Sequence, residues 1–153
     1  MTSKAKMKRE ETVDHNIKAA WHAIYRMYNQ KAIKNDITTS IGFVLLNIQS
    51  EEGTPATKIA PLMGLEARSL TRMLKTMEQK GLIYKEPDLV DKRSVRIFLT
   101  ELGKEKRAIS SKTVKDFNNE VRALVPPEKL KIFFEVIQDI NKVIEQNNIV
   151  SRS

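Results

Sequence analysis

The chain contains no cysteine, which excludes disulfides, thiolate metal ligation and thiol-based redox sensing by this chain. Glycine and proline are scarce, five of each in 153 residues, and they are scattered, so there is neither a glycine-rich phosphate loop nor a low-complexity linker. Nowhere do eighteen apolar residues run together, and Met1 to Arg9 is polar and lysine-rich. We therefore expect no membrane span, no signal peptide and a cytoplasmic location. The two histidines, His15 and His22, lie seven positions apart on one helical pattern, which separates their backbones by about 10 Å. That is too far for simple shared ligation, and we expect no metal and no cofactor. With no Ser-His-Asp set either, the chain is not expected to be an enzyme.

What is present is an ordinary apolar share, 41%, with 30% charged residues, enough for one folded domain with a core. The formal charge of +8 points to an anionic partner, nucleic acid ahead of membrane. The excess is densest mid-chain. Residues 57–100 carry nine basic groups (Lys58, Arg68, Arg72, Lys75, Lys80, Lys85, Lys92, Arg93 and Arg96) against five acids.

Apolar residues at Val13, Ile17, Ala20, Ile24 and Met27 step by fours and threes, which predicts a helix from about Thr12 to Ile33. Thr38 or Thr39 caps a second helix lined by Ile41, Val44, Leu45 and Ile48 and stopped by Gly53. Thr54-Pro55 reads as a cap plus a first-turn proline opening a short helix through Met63, with Ile59, Ala60, Leu62 and Met63 inward. Pro61 lies inside it, where it removes a backbone donor and threatens to shift or shorten the helix. Gly64 then turns the chain into a helix from Ala67 to Lys80, closed by Gly81. Two short helices about a glycine turn read as a helix-turn-helix.

After Gly81 the period drops from 3.6 to 2, predicting a β-hairpin through 82–85 and 94–99, with Val95, Ile97 and Leu99 on one face and a polar tip from Glu86 to Arg93. A long helix follows Thr100, Pro126-Pro127 ends it, and a last helix shows Leu130, Phe133, Ile137, Ile140 and Ile144 at steps of three and four.

The first and last helices thus carry ten seam side chains. Left in water, these would forfeit on the order of 15–30 kcal/mol, more than a typical domain stability of about 5–15 kcal/mol. They can pack on each other within one chain. We prefer a dimer interface of Val13, Ile17, Ile24, Leu130, Phe133, Ile137, Ile140 and Ile144, because helix-turn-helix units commonly bind two half-sites roughly 34 Å apart and need a two-fold partner.

On the helix from Ala67, Leu70, Met73, Leu74 and Met77 cluster on one side, with Arg68, Arg72 and Lys75 opposite and Thr71 on a flank. One face packs; the other is free to read DNA or simply to be solvated. Arg and Lys donate to guanine O6 and N7, and Ser69 and Thr71 bond bases or phosphates. Lys92 and Arg93 at the hairpin tip favour the DNA reading, since an arginine there suits a narrow minor groove. Asp91 is out of place on such a loop unless it holds Arg93 in position.

Taken as a set, Ile59-Ala60 through Gly64-Leu65, Leu70-Thr71-Arg72, Glu78-Gln79-Lys80-Gly81-Leu82-Ile83, Asp91-Lys92-Arg93-Ser94 and Leu99-Thr100-Glu101-Leu102-Gly103 resemble the MarR family. The resemblance spans about Ile37 to Lys106 by motif. It implies a mainly α fold with a small β-hairpin: a single 1–153 domain with a winged helix-turn-helix at 37–100, a connecting helix at 101–124 and dimerisation helices at 12–36 and 125–147. It also implies a homodimeric, sequence-specific regulator of transcription, a repressor of a pseudo-palindromic operator on double-stranded DNA, modulated by an anionic or aromatic small-molecule effector. Carried over by residue, the recognition helix uses Arg68, Ser69, Thr71, Arg72 and Lys75, and the wing uses Asp91 and Arg93, with Lys92 beside them. Trp21, Tyr25, Tyr28 and Phe43 are candidates to line the effector pocket, although core packing explains them equally well. The competing reading is a winged-helix module for protein contact without DNA binding, since fold does not imply function.

Overall fold

The computed structural model of the chain describes residues 6–147. The chain divides between Thr113 and Val114 into two compact units.

The first unit opens with a 3-10 turn at Arg9–Glu11 and a helix α1, Val13–Lys34. Asp36, in the left-handed region at φ 58°, turns the chain out of α1. Thr38 then caps α2, Thr39–Leu46, its hydroxyl accepting from the Ile41 amide at 3.1 Å and so satisfying one of the amides a helix start leaves unpaired. Two polar contacts fasten α2 to α1. The Thr39 hydroxyl donates to the Asn29 side-chain oxygen, and Tyr25 and Ser40 share a hydroxyl hydrogen bond of 3.3 Å.

The next stretch departs from the sequence expectation. Helix α2 ends at Leu46, capped by Asn47, well before Gly53, and Gly53 serves the following turn instead. Its φ is +67°, and a Cβ there would stand 2.6 Å from the Ile97 carbonyl oxygen, so both backbone shape and space demand glycine. Thr54–Pro55 is not a helix cap but a two-residue strand, β1. It pairs antiparallel with Val95–Leu99, Thr54 opposite Ile97, and the Thr54 hydroxyl accepts from the Gln49 amide at 3.0 Å. Proline is tolerated because β1 is an edge strand.

Helix α3, Ala56–Met63, runs through Pro61 unbroken. Gly64, left-handed at φ 64°, ends it, and the Leu65 amide returns to the Ala60 carbonyl at 3.0 Å. Ile59 and Ala60 are buried as expected, whereas Leu62 is 68% exposed, because its position on the wheel turns away from their face. Helix α4, Ala67–Gln79, is followed by β2, Ile83–Pro87, and β3, Val95–Leu99. The sheet therefore has three strands in the order β1-β3-β2, one more than the hairpin expected. Leu45, Ile48, Ile59, Met77, Leu82 and Ile97 are the large side chains at the centre of the core.

Helix α5, Glu101–Leu124, starts in a backbone latch. The Thr100 hydroxyl accepts from the Gly103 amide at 3.0 Å and donates to the Gly81 carbonyl at 2.6 Å, while the Thr100 amide donates to the Leu82 carbonyl at 3.1 Å. Gly103 is packed so closely that a Cβ would fall 1.9 Å from the Leu82 carbonyl oxygen.

The second unit holds the rest of α5 and α6, Pro127–Asn147. The Pro126 carbonyl accepts from Lys129 and Leu130 amides at 3.1 and 3.2 Å, starting α6 where a proline pair forbids continuation of α5. Among the described residues of this unit, Leu130 is the sole buried hydrophobic side chain. No helix among the described residues is long and apolar enough to cross a membrane.

Candidate nucleic-acid interface

Helix α4 is fixed by its apolar side. Leu70, Leu74 and Met77 are buried in the core, with Met73 packed against them, and the turn after the helix is closed by the Leu82 amide bonding to Met77 at 3.0 Å. The opposite side carries Arg68, Arg72 and Lys75, with Ser69 and Thr71 on its flanks, all exposed. Among the described residues none of its three cations has a carboxylate within salt-bridge distance. The Thr71 hydroxyl donates to the Ala67 carbonyl of its own helix at 2.8 Å, which leaves its oxygen able to accept a further hydrogen bond. The sequence-predicted helix residues are thus brought together on one cationic surface.

The wing between β2 and β3 is held at both ends of its loop. At its base the Asp88 amide donates to the Ser94 carbonyl at 3.0 Å, and near its tip the Ser94 amide donates to the Asp91 carbonyl at 2.9 Å. The Asp91 carboxylate accepts from the backbone amide of Arg93 at 3.1 Å, so the contact is with the main chain and the Arg93 guanidinium is left exposed. Lys92 is exposed beside it.

A brace in this wing escaped the sequence reading. Arg96, counted there only among the excess cations, lies 3.6 Å from the Asp88 carboxylate and donates through Nε to the Glu52 carbonyl at 2.7 Å. It ties the wing base to the turn before β1. Asp88 is mostly buried by this arrangement, its side chain 13% exposed. A bond to a main-chain carbonyl 44 positions away carries no side-chain pattern by which a sequence would reveal it.

The seam residues divide. On α1, Val13 and Ile17 are exposed and Ile24 is half-buried; on α6, Phe133 and Ile144 are exposed, Ile137 and Ile140 half-buried and Leu130 buried. The aromatic candidates contact one another between α1 and α2. Trp21 stacks on Phe43 at 6.0 Å and 27°, and Tyr28 meets Phe43 edge-on at 5.9 Å and 75°. Burial raises the Tyr28 phenol above its ordinary pKa. Trp21, His22, Tyr25 and Arg26 of α1 line an open recess of about 230 Å³. No group of three or more His, Cys, Asp or Glu that could hold a metal ion occurs among the described residues.

Comparison with known proteins gives consistent matches. Residues 37–95 match the profile of the MarR family. The chain is 30% identical over 129 residues to the HTH-type transcriptional regulator SarZ of Staphylococcus saprophyticus, covering 81% of this chain and 84% of that protein. It is 35% identical over 86 residues to the HTH-type transcriptional regulator TtmR of Methylorubrum extorquens, a match that covers 56% of this chain and only 44% of that relative's length. In three dimensions it is similar to the MepR protein of S. aureus solved in complex with DNA, with a TM-score of 0.78 and 20% identity over 86% of this chain and 98% of that one. This last likeness concerns the fold, a winged helix with flanking helices.

Proposed function

This chain belongs to the MarR family, and on that premise we propose that it is a homodimeric, sequence-specific regulator of transcription that binds duplex DNA. Its relatives are named as transcriptional regulators, and no enzymatic activity is part of this reading. Helix α4 enters the major groove with Arg68, Arg72 and Lys75, Ser69 and Thr71 reading or positioning alongside, and the wing sets Lys92 and Arg93 against the neighbouring minor groove. Asp91 shapes the loop that carries Arg93 through its hold on the main chain.

The observation that carries the proposal is the cationic face of α4: three basic side chains without carboxylate partners among the described residues, on a helix whose other side is locked into the core. A face meant only for solvation gains little from leaving all its cations unmatched, whereas a phosphate-lined partner supplies the missing charge.

Two-fold pairing through the apolar seams of α1 and α6, with Val13, Ile17, Phe133 and Ile144 exposed, supplies a second half-site reader. A dimer seated on its pseudo-palindromic operator acts as a repressor by occupying it. An effector fits the recess on α1, where aromatic rings of Trp21 and Tyr25 stand beside Arg26, the combination that suits an aromatic anion. Such a molecule alters DNA affinity only by binding the two states of the protein unequally.

Duplexes selected from random-sequence DNA with the purified protein test the reading. If a dimer neutralises about eight phosphates, log affinity plotted against log salt falls with a slope of roughly −7. A flat salt response, or no duplex bound at low ionic strength, would instead mark the fold as a module for protein contact.

A further inference from the structure

The wing tip carries two large apolar side chains that nothing among the described residues covers: Leu89 is 93% exposed and Val90 94%, the highest values among the described exposed large hydrophobic residues. They are not on a loose loop. Asp88, immediately before them, is held by the Ser94 carbonyl and by Arg96, and Asp91, immediately after, holds the Ser94 and Arg93 amides. A pair bracketed by these bonds has less backbone left to order when a partner arrives. Exposed apolar residues scattered singly are ordinary, but two adjacent ones at a loop tip gain nothing from that position unless a partner covers them.

We propose that Leu89 and Val90 form an apolar wedge that enters the minor groove of the bound duplex, packs on its sugar walls and bends the DNA at that step. This deepens the DNA-binding reading and rests on it. The occupant follows from what lies next to the pair. Lys92 and Arg93, exposed on the same tip, match a phosphate-flanked groove, and a groove floor lined by deoxyribose and base edges offers the apolar surface those two cations cannot use. Leucine belongs to the set of side chains that unstack base steps from the minor groove. The wing thereby acquires two separable parts: cations whose contribution depends on salt, and a wedge whose contribution does not.

The test uses the full-length chain, its Leu89→Ser/Val90→Ser double variant and Arg93→Ala, on a duplex selected with the wild-type protein and labelled at both ends for energy transfer. Both replaced side chains being almost fully exposed, the thermal midpoint of the double variant is expected to match wild type. Its affinity is expected to fall roughly 10-fold by the same factor at low and at moderate salt, with the end-to-end distance relaxing toward that of free DNA. Arg93→Ala is expected to flatten the salt slope instead. Unchanged affinity and unchanged bend in the double variant, with wild type still binding, overturn the wedge alone. Loss of binding to anionic phosphatidylserine vesicles in the double variant with no change on DNA also overturns it and makes the tip a membrane contact. Failure of wild type itself to bind any duplex at low salt overturns the DNA reading and the wedge together.

Discussion

Helices α4 and α6 show the same apolar steps of three and four in sequence, yet their apolar sides meet different fates. In α4, Leu70, Leu74 and Met77 are closed into the core of their own unit. In α6, Phe133, Phe134, Val143 and Ile144 remain about half exposed, and Leu130 alone is buried. An amphipathic pattern therefore says that a helix will bury a face, and is silent on whether the covering surface belongs to the same chain. Where its own unit supplies the cover, as α2, α3 and the sheet do for α4, the exposed side of that helix is cationic. Where the described residues of its own unit do not, as for α6, the exposed side is itself apolar, the feature on which the proposed pairing of two copies rests.

The contrast breaks most sharply at α6. Phe133→Glu combined with Ile144→Glu is expected to yield monomers by sedimentation equilibrium and to lower duplex affinity on the order of 100-fold or more, since each half-site is then bound without the help of the other. Far-ultraviolet circular dichroism of the helix-turn-helix should survive, because those two side chains are exposed within the chain. A dimer that persists with full affinity would mean that α6 is covered by something other than its counterpart.

The next effect lies at the start of α5. Gly103→Ala forces a methyl group against the Leu82 carbonyl, and we expect it to cost roughly 1–3 kcal/mol in urea denaturation, as overpacking does. Here the damage is within one chain, so the loss should not depend on protein concentration. A concentration-dependent loss would place the latch in an intersubunit contact and blur the distinction between the two regions.

The smallest expected effect is a pH slope. Burial holds the Tyr28 phenol above the usual 10.0, so as pH rises the unfolded chain releases this proton first. Unfolding is then favoured by deprotonation: stability from this group is intact below the ordinary tyrosine value and declines above it until Tyr28 ionises in the folded protein as well. Tyr28→Phe should remove that part of the alkaline decline in denaturation curves. An unchanged alkaline slope would show that the contact between α1 and α2 at Phe43 is looser than the rest of the core.

Much of this architecture was legible in the sequence because it rests on local chemistry. Thr38 capping α2, Gly64 and Gly81 ending their helices, and the change of period at Leu82 are each determined by residues within a few positions. The expectation failed where the contacts are long-range. Thr54–Pro55 has the composition of a helix start, and a two-residue strand is too short to show a period; only Ile97 and Arg96 opposite make it one. Leu62 looked apolar enough for the core but sits off the face of Ile59 and Ala60. In the candidate interface, the residue types were readable from helix α4 and the wing tip, whereas the Arg96 brace depends on strand register and a distant carbonyl.

The Gly103 contact has a further consequence. Because the gap between the end of the reading helix and the start of α5 is gauged by main-chain atoms and one hydroxyl, neighbouring side chains can drift without moving the mount. On the proposed reading, substitutions among Arg68, Ser69, Thr71, Arg72 and Lys75 would alter what is recognised and leave how α4 is held untouched. Such a device can acquire new target sequences over evolutionary time while keeping its frame.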